Sequence, residues 1–380
     1  MKKILIIAEK FSTNLGDALI YSLVKSIFQE NYIIDSLDLS GRDGFSYSES
    51  STYNTDINLI KKIYSRIKID AKKIGFKLNG RVMKKTIKQF KNNFLEKMIE
   101  FKPDCIIFAG GQMFMDSFFS QILFVTNYCD NNDIPIIFNA CGCSNKIYCY
   151  ELKCIKKILK SKSVVYISLR DKYELIKHHD LKNIVFETYD TALLSSKYIK
   201  NNISNLEKKI GIGIMYSNFY DYDKQFNFWT KILLKLNEDN INFEIFCNGA
   251  IDDYNFILEL CKKNGFDKKI IAKRPRKYEE LLELICGYKC ILSMRLHSLI
   301  IAYSYHIPAI AISWDSKVKE FYSKINNSSL CYNLDSNSDN ILSDLLSLDI
   351  NKFDYCMNEK INDSIQKNIN TIRSIIEKNN

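Results

Sequence analysis

The sequence predicts an α/β protein of two Rossmann-like domains, each a doubly wound parallel sheet, closed by a C-terminal crossover helix. Three observations predict it. Short apolar runs of the kind found in fully buried strands alternate with helical stretches along all 380 residues. The series restarts after a polar break, Lys200-Asn201-Asn202-Ile203-Ser204-Asn205, and the length suits more than one domain. A helical pattern from Asp339 to Lys378 ends the chain and can reach back to the first domain.

In the first half, strands are expected at Lys3–Ala8, Ile33–Leu39, Cys105–Ala109, Ile134–Ala140 and Val164–Ser168. The first of these follows a basic opening but is short and ends in charge, so it reads as a strand and not as a leader. The second series runs through Lys209–Met215, Phe243–Cys247, Lys269–Ile271, Lys289–Leu292 and Ala309–Ile312. This gives a first domain over residues 1–200, a second over 207–350 and a terminal helix over 351–380. Two such domains with a cleft between them and a returning helix describe the GT-B architecture.

Composition sets further bounds. Hydrophobic residues at 46% with four prolines describe a packed globular protein, not a disordered one. No run approaches the roughly 20 apolar residues of a membrane span. The 12 cysteines, several inside apolar runs, read as reduced core thiols of a cytoplasmic protein. Cys141, Cys143, Cys149 and Cys154 include no Cys-x-x-Cys pair and no neighbouring histidine, so no metal site is read there. The net charge of +10 has one source: residues 57–102 hold 14 Lys or Arg against Asp70, Glu96 and Glu100. Ile60, Ile63, Tyr64, Ile67, Ala71 and Ile74 fall there at helical spacing. Such a basic amphipathic segment fits an anionic membrane surface, an anionic substrate, or simply a helix packed by its apolar stripe. It carries no nucleic-acid motif, and no nucleic-acid partner is expected.

Chemistry-bearing residues gather where strands end, as ligand sites do in open parallel sheets. After the first strand, Asn14 can cap a helix, Gly16 permits close approach and Asp17 sits in the first helical turn, where a cap is the simplest reading. The absence of Gly-x-Gly-x-x-Gly excludes a dinucleotide fingerprint. Gly110-Gly111 ends the third strand and leaves backbone N–H groups uncovered for an anion or a sugar, with Asp116 just beyond. Arg170-Asp171 follows at the end of a later strand, and Asp190 lies near the domain boundary. In the second domain, Cys290–Ser293 runs straight into Met294-Arg295-Leu296-His297-Ser298, placing a fixed cation and a titratable imidazole at a helix start.

Together, the Asn14-Leu15-Gly16-Asp17 turn, Gly110-Gly111, Arg170-Asp171, Asp190 and Met294–Ser298, with Pro308 and Asp315-x-Lys317 behind, resemble the polysaccharide pyruvyl transferase family over nearly the whole chain. Three positions depart from the family pattern: Thr191 after Asp190, Ser293 before the Met-Arg-Leu-His core, and Cys141-Gly142-Cys143 in place of a glycine-rich strand end. The resemblance implies transfer of a pyruvyl group from phosphoenolpyruvate to a sugar of a surface glycan or its lipid-linked precursor, giving a cyclic ketal. It implies no cofactor and no metal. Arg170 and Arg295 would clamp the donor, with Ser298, Gly110 and Gly111 beside it, and His297 would be the general acid. Asp17 or Asp190 would activate the acceptor hydroxyl, and Asn14 and Asp116 would lie on the acceptor side. The protein is then expected in the cytoplasm, peripheral at the inner face of the membrane through residues 57–102. The alternative is a nucleotide-sugar-dependent glycosyltransferase on the same scaffold, with Asp315 or Glu320 holding ribose hydroxyls.

Overall fold

The computed structural model describes residues 1–45, 68–75, 77, 81–144, 146–200, 209–217 and 220–378. The first sheet has six parallel strands, β1 (Lys3–Ala8), β2 (Ile33–Asp38), β3 (Cys105–Ala109), β4 (Ile136–Cys141), β5 (Val164–Leu169) and β6 (Val185–Glu187). They lie in the order β2-β1-β3-β4-β5-β6. The second sheet has five, β7 (Ile210–Gly213), β8 (Phe243–Phe246), β9 (Cys290–Ser293), β10 (Ala309–Ile312) and β11 (Cys331–Tyr332), in the order β11-β10-β9-β7-β8. The inner strands are buried end to end, as expected where helices cover both faces of a parallel sheet. One apolar core runs from one face of the first sheet across the domain contact into the second, and a separate cluster fills the other face of the first sheet.

Strand order locates the site. In the first sheet the chain winds outward in opposite directions from β1 and β3; in the second it does so from β7 and β9. Between such strands the following loops part and leave a crevice at the carboxyl ends. The β1 loop leads into helix Leu15–Phe28, and the β9 loop leads into helix Leu296–Ser304. The two crevices face each other: the Leu15 amide donates to the Asn248 carbonyl at 3.1 Å, and the Ser22 and Tyr278 hydroxyls meet at 2.7 Å.

The terminal helix, Asn358–Lys378, returns to the first sheet. Its buried Asn368 takes a hydrogen bond from Tyr166 at 2.8 Å and gives one to Asn139 at 2.8 Å, while Arg373 donates to the Ile27 carbonyl. The expected Asp339–Lys378 helix is in fact two, Ser338–Ser347 and Asn358–Lys378, separated by Leu348–Met357 with Phe353 buried. Lys269–Ile271 is not a strand: a 3-10 turn occupies Lys268–Ile270, and Ile271 keeps a single bridge to Ile245. Residues 57–67, 76 and 78–80 of the basic segment, and most of the polar break after Lys200, lie outside the described residues. The described remainder of the segment includes helix Arg81–Glu100, whose Phe90, Phe94 and Met98 are buried in the core. Among the described residues no helix is long and apolar enough to cross a membrane.

Candidate active site between the two sheets

His297 is the centre of the site. The helix Leu296–Ser304 starts at Arg295, whose extended backbone is held by a bond from its amide to the Ser293 hydroxyl at 3.2 Å. The departure Ser293 therefore braces the strand end that a glycine would leave loose. The imidazole is nearly buried and lies against Gly16 of the other domain, where a built Cβ would overlap the ring. Gly16 is a glycine because the histidine crosses there. Gly16→Ala is expected to cost about 1–3 kcal/mol by overpacking, read by chemical denaturation; a variant as stable as the wild type would contradict this packing.

Behind the ring, Nε2 of His297 lies 3.5 Å from Nη1 of Arg170 and 3.8 Å from Oδ2 of Asp190. Arg170 comes from the end of β5 and is bound through Nη1 to Asp190. Asp190 also accepts from the Ala192 amide at 2.9 Å. Burial opposes its ionisation, but the Arg170 charge and the His297 contact outweigh it and hold the carboxyl far below the usual carboxylate range. Thr191, the second departure, accepts from Asn139 at 3.3 Å and fastens this loop to β4. Asp171 accepts from the Cys143 amide at 2.7 Å, and a Cβ on Gly142 would press on both Asp171 and Arg170. The third departure thus keeps the one glycine that the arginine needs.

Arg295 has a different partner. Its Nε and Nη2 donate to the two carboxylate oxygens of Asp253, each at 2.8 Å, leaving Nη1 without a hydrogen bond among the described residues. Asp253 is fully buried, accepts from the Tyr216 amide at 3.0 Å, and has its carboxyl raised by burial against the pull of Arg295. Nothing in the sequence around Asp253 marks it.

Arg170, Arg295 and His297 line a cavity of about 200 Å³ that also takes in Asn14, Asp17, Glu9 and Lys317. Asp17 accepts at Oδ2 from Ser12 at 3.3 Å and Asn14 at 3.1 Å. Asn14 Oδ1 and Arg170 Nε are buried with no hydrogen-bond partner among the described residues, so polar demand at the cavity remains unmet. Gly110 and Gly111 both have positive φ, 57° and 70°; they back this wall, with Gly110 packed on Ile20 and Gly111 facing Asp17. Ser298 lies behind the cavity, fully buried, its hydroxyl donating to Asn248. Asp116 pairs with Lys72 at 2.8 Å, outside the cavity lining.

Lys317 is the residue that strand-end reasoning passed over. It lies in the first turn of helix Ser316–Lys324, capped by Asp315, and its side chain is almost wholly buried. Burial lowers its pKa, Asp171 opposes and Arg170 adds to the lowering. Among the described residues its ammonium has no ion pair or hydrogen bond. A nearly buried cation without an ion pair among the described residues, beside two arginines and an imidazole, is an arrangement that suits an anion.

Two facing crevices, with the catalytic candidates at their strand ends and a helix returning from the second domain to the first, define an α/β protein of the GT-B class. Solved structures of this class are similar at low identity. The UDP-GlcNAc 2-epimerase from Neisseria meningitidis bound to UDP-GlcNAc matches at 12% identity over 100% of both chains, TM-score 0.58. The Methanocaldococcus jannaschii UDP-GlcNAc 2-epimerase in complex with UDP-GlcNAc and UDP matches at 13% identity over 93% of each chain, TM-score 0.53. The trehalose-6-phosphate structure from E. coli bound with UDP-2-fluoro glucose matches at 9% identity over 99% of each chain, TM-score 0.57. No curated protein matches the sequence. The model of the polysaccharide pyruvyl transferase family matches residues 14–316, and the chain belongs to that family. It is thus a transferase of the kind that modifies polysaccharides.

Proposed function

We propose that the protein transfers a pyruvyl group from phosphoenolpyruvate to a sugar of a surface glycan or its lipid-linked precursor, closing a cyclic ketal. The observation that carries this reading is the nearly buried Lys317, which has no ion pair or hydrogen bond from its ammonium among the described residues, in the same small cavity as Arg170, Arg295 and His297. Phosphoenolpyruvate is compact and carries two anionic groups. Lys317 and the free Nη1 of Arg295 would hold them, with Arg170, tied to Asp190, as a fixed positive wall. His297 would protonate C3 as a sugar hydroxyl adds to C2. In this reading residues 1–200 receive the acceptor and residues 207–350 hold the donor.

Two features weigh against a nucleotide-sugar donor. At about 200 Å³ the cavity falls below the roughly 300–1,000 Å³ usual for drug-sized ligands. Asp315 and Glu320, the carboxylates that could hold a ribose, are engaged, one capping the Lys317 amide and the other pairing with Lys172 at 3.2 Å. Thermal unfolding with each candidate donor separates the two. Phosphoenolpyruvate is expected to raise the midpoint and nucleotide sugars to leave it unchanged; the reverse pattern would favour the glycosyltransferase. Lys84, Lys85 and Lys88 form an exposed basic row on helix Arg81–Glu100, which supports peripheral contact with an anionic membrane carrying the acceptor. Salt-sensitive sedimentation with anionic vesicles is expected, and none with neutral ones; equal sedimentation with both would remove the membrane contact.

A further inference from the structure

Ketal formation consumes two sugar hydroxyls and therefore needs a base as well as an acid. The first hydroxyl forms the O–C2 bond while C3 takes a proton from His297. Phosphate then leaves with the C–O bonding pair, and the second hydroxyl closes the ring. Of the two hydroxyl protons, one restores His297, and the other is taken by the base and handed on to the departing phosphate. Asp190 is poorly suited to accept either: its carboxylate is committed to Arg170 and the Ala192 amide and strongly resists protonation. Asp17 accepts from Ser12 and Asn14 at Oδ2, and its Oδ1 is turned to Gly111, where a built Cβ would lie 3.3 Å away.

We propose that Glu9 is the catalytic base that takes the proton from an acceptor hydroxyl, a role that rests on the pyruvyl-transfer reading above. Glu9 follows β1 directly and lines the cavity from the first domain, with its side chain 15% exposed. It is aimed from behind. The Ser40 hydroxyl donates to Oε1 at 2.6 Å, and Arg42 Nη2 donates to Oε2 at 2.7 Å. Arg42 is itself fixed by Asp38, at 2.9 Å through Nε and 3.0 Å through Nη2. The Asp38 side chain is fully buried and accepts from the amides of Phe11, Ser40 and Arg42. Each carboxylate oxygen of Glu9 thus keeps one lone pair for a ligand.

The charged groups facing Glu9 are Arg42 and Asp38 from the β2 end, Asp17 from helix Leu15–Phe28, and Arg170, Arg295, His297 and Lys317 around the same cavity. Burial pushes its carboxyl up to about 7, Arg42 and Ser40 opposing the shift and Asp38 and Asp17 adding to it. A group with that value can take a proton and return it near neutral pH.

The experiment compares wild type with Glu9→Gln and Glu9→Ala, measuring phosphoenolpyruvate binding by calorimetry and ketal formation against pH. Glu9→Gln is expected to lower kcat by about 10²-fold, leave the donor Kd within about twofold, and abolish the acid limb of the pH profile. Added formate is expected to restore part of the activity of Glu9→Ala, which a merely structural role would not allow. Should both variants fail to fold, Glu9→Asp replaces them, with a fall in kcat at unchanged donor Kd expected and an unchanged kcat overturning the role. A Glu9→Gln enzyme within about threefold of wild type with its acid limb intact would overturn the role of Glu9 while leaving pyruvyl transfer standing. A wild type that binds no phosphoenolpyruvate and forms no ketal would overturn both.

Discussion

His297→Gln is expected to lower ketal formation by about 10²- to 10⁴-fold, the range a positioned general acid supplies, while phosphoenolpyruvate still binds. The glutamine keeps most of the side chain's volume over Gly16, so the domain contact should survive. What it cannot do is carry a proton to carbon. The imidazole is held on both sides, with Gly16 packed against the ring and Arg170 and Asp190 closing on Nε2 from behind. Single-turnover assays with excess donor separate this from a binding defect. A variant within a few-fold of wild type would remove His297 from the chemistry.

Lys317→Met is expected to have the second large effect, with opposite signs in two measurements. Without donor, the nearly buried lysine has no ion pair or hydrogen bond among the described residues, and burial lowers its pKa against the opposing pull of Asp171 and Asp315. A lysine whose folded-state pKa lies below its unfolded value destabilises the fold at low pH, and the deficit shrinks as pH rises past the folded value and is closed at the unfolded one. Methionine fills a similar volume without charge, so the free variant should melt at a higher temperature than wild type. The same change should weaken donor affinity by on the order of 10²-fold, the loss of one well-placed charge partner, and erase the thermal shift caused by phosphoenolpyruvate. Such a trade of stability against function is usual where a site holds strain for its ligand. A variant that is both less stable and fully able to bind donor would contradict the assignment.

The parts of the fold legible in the sequence were those that burial alone dictates. The runs Ile4–Ala8, Cys105–Ala109, Cys290–Leu292 and Ala309–Ile312 are apolar throughout because both sheet faces are covered, and each lies in a strand. Strands β6 and β11, of three and two residues, are too short to leave a pattern. The break at Leu348–Met357 was hidden because its buried Phe353 extends the apolar spacing of the flanking helices.

The site divides in the same way. Asn14, Asp17, Arg170, Arg295 and His297 all follow strands, so the rule that ligands meet strand ends found them, and the cavity brings them together. Which carboxylate would meet which arginine was not legible. Asp253 grips Arg295 from a helix 42 residues earlier, and Asp190 grips Arg170 from 20 residues later. Those pairings follow from how loops close around the strand ends, which no local pattern records. Glu9 looked like the charged end of a strand; its meaning comes from Ser40 and Arg42, brought beside it by β1–β2 pairing. Lys317 was visible only as part of the Asp315-x-Lys317 motif, where a helix cap explains the aspartate and leaves the lysine unexplained.

In the pyruvyl-transfer reading proposed above, this cavity joins the enol carbon of phosphoenolpyruvate to two sugar oxygens. The most direct test of that reading is carbon and phosphorus NMR of the purified protein with phosphoenolpyruvate labelled with carbon-13 at C2 and a panel of sugar acceptors. A new quaternary ketal carbon is expected together with one inorganic phosphate per ketal, both requiring the acceptor and both lost in His297→Gln. Phosphoenolpyruvate left intact with every acceptor, while a nucleotide sugar in the same tubes is consumed, would contradict it.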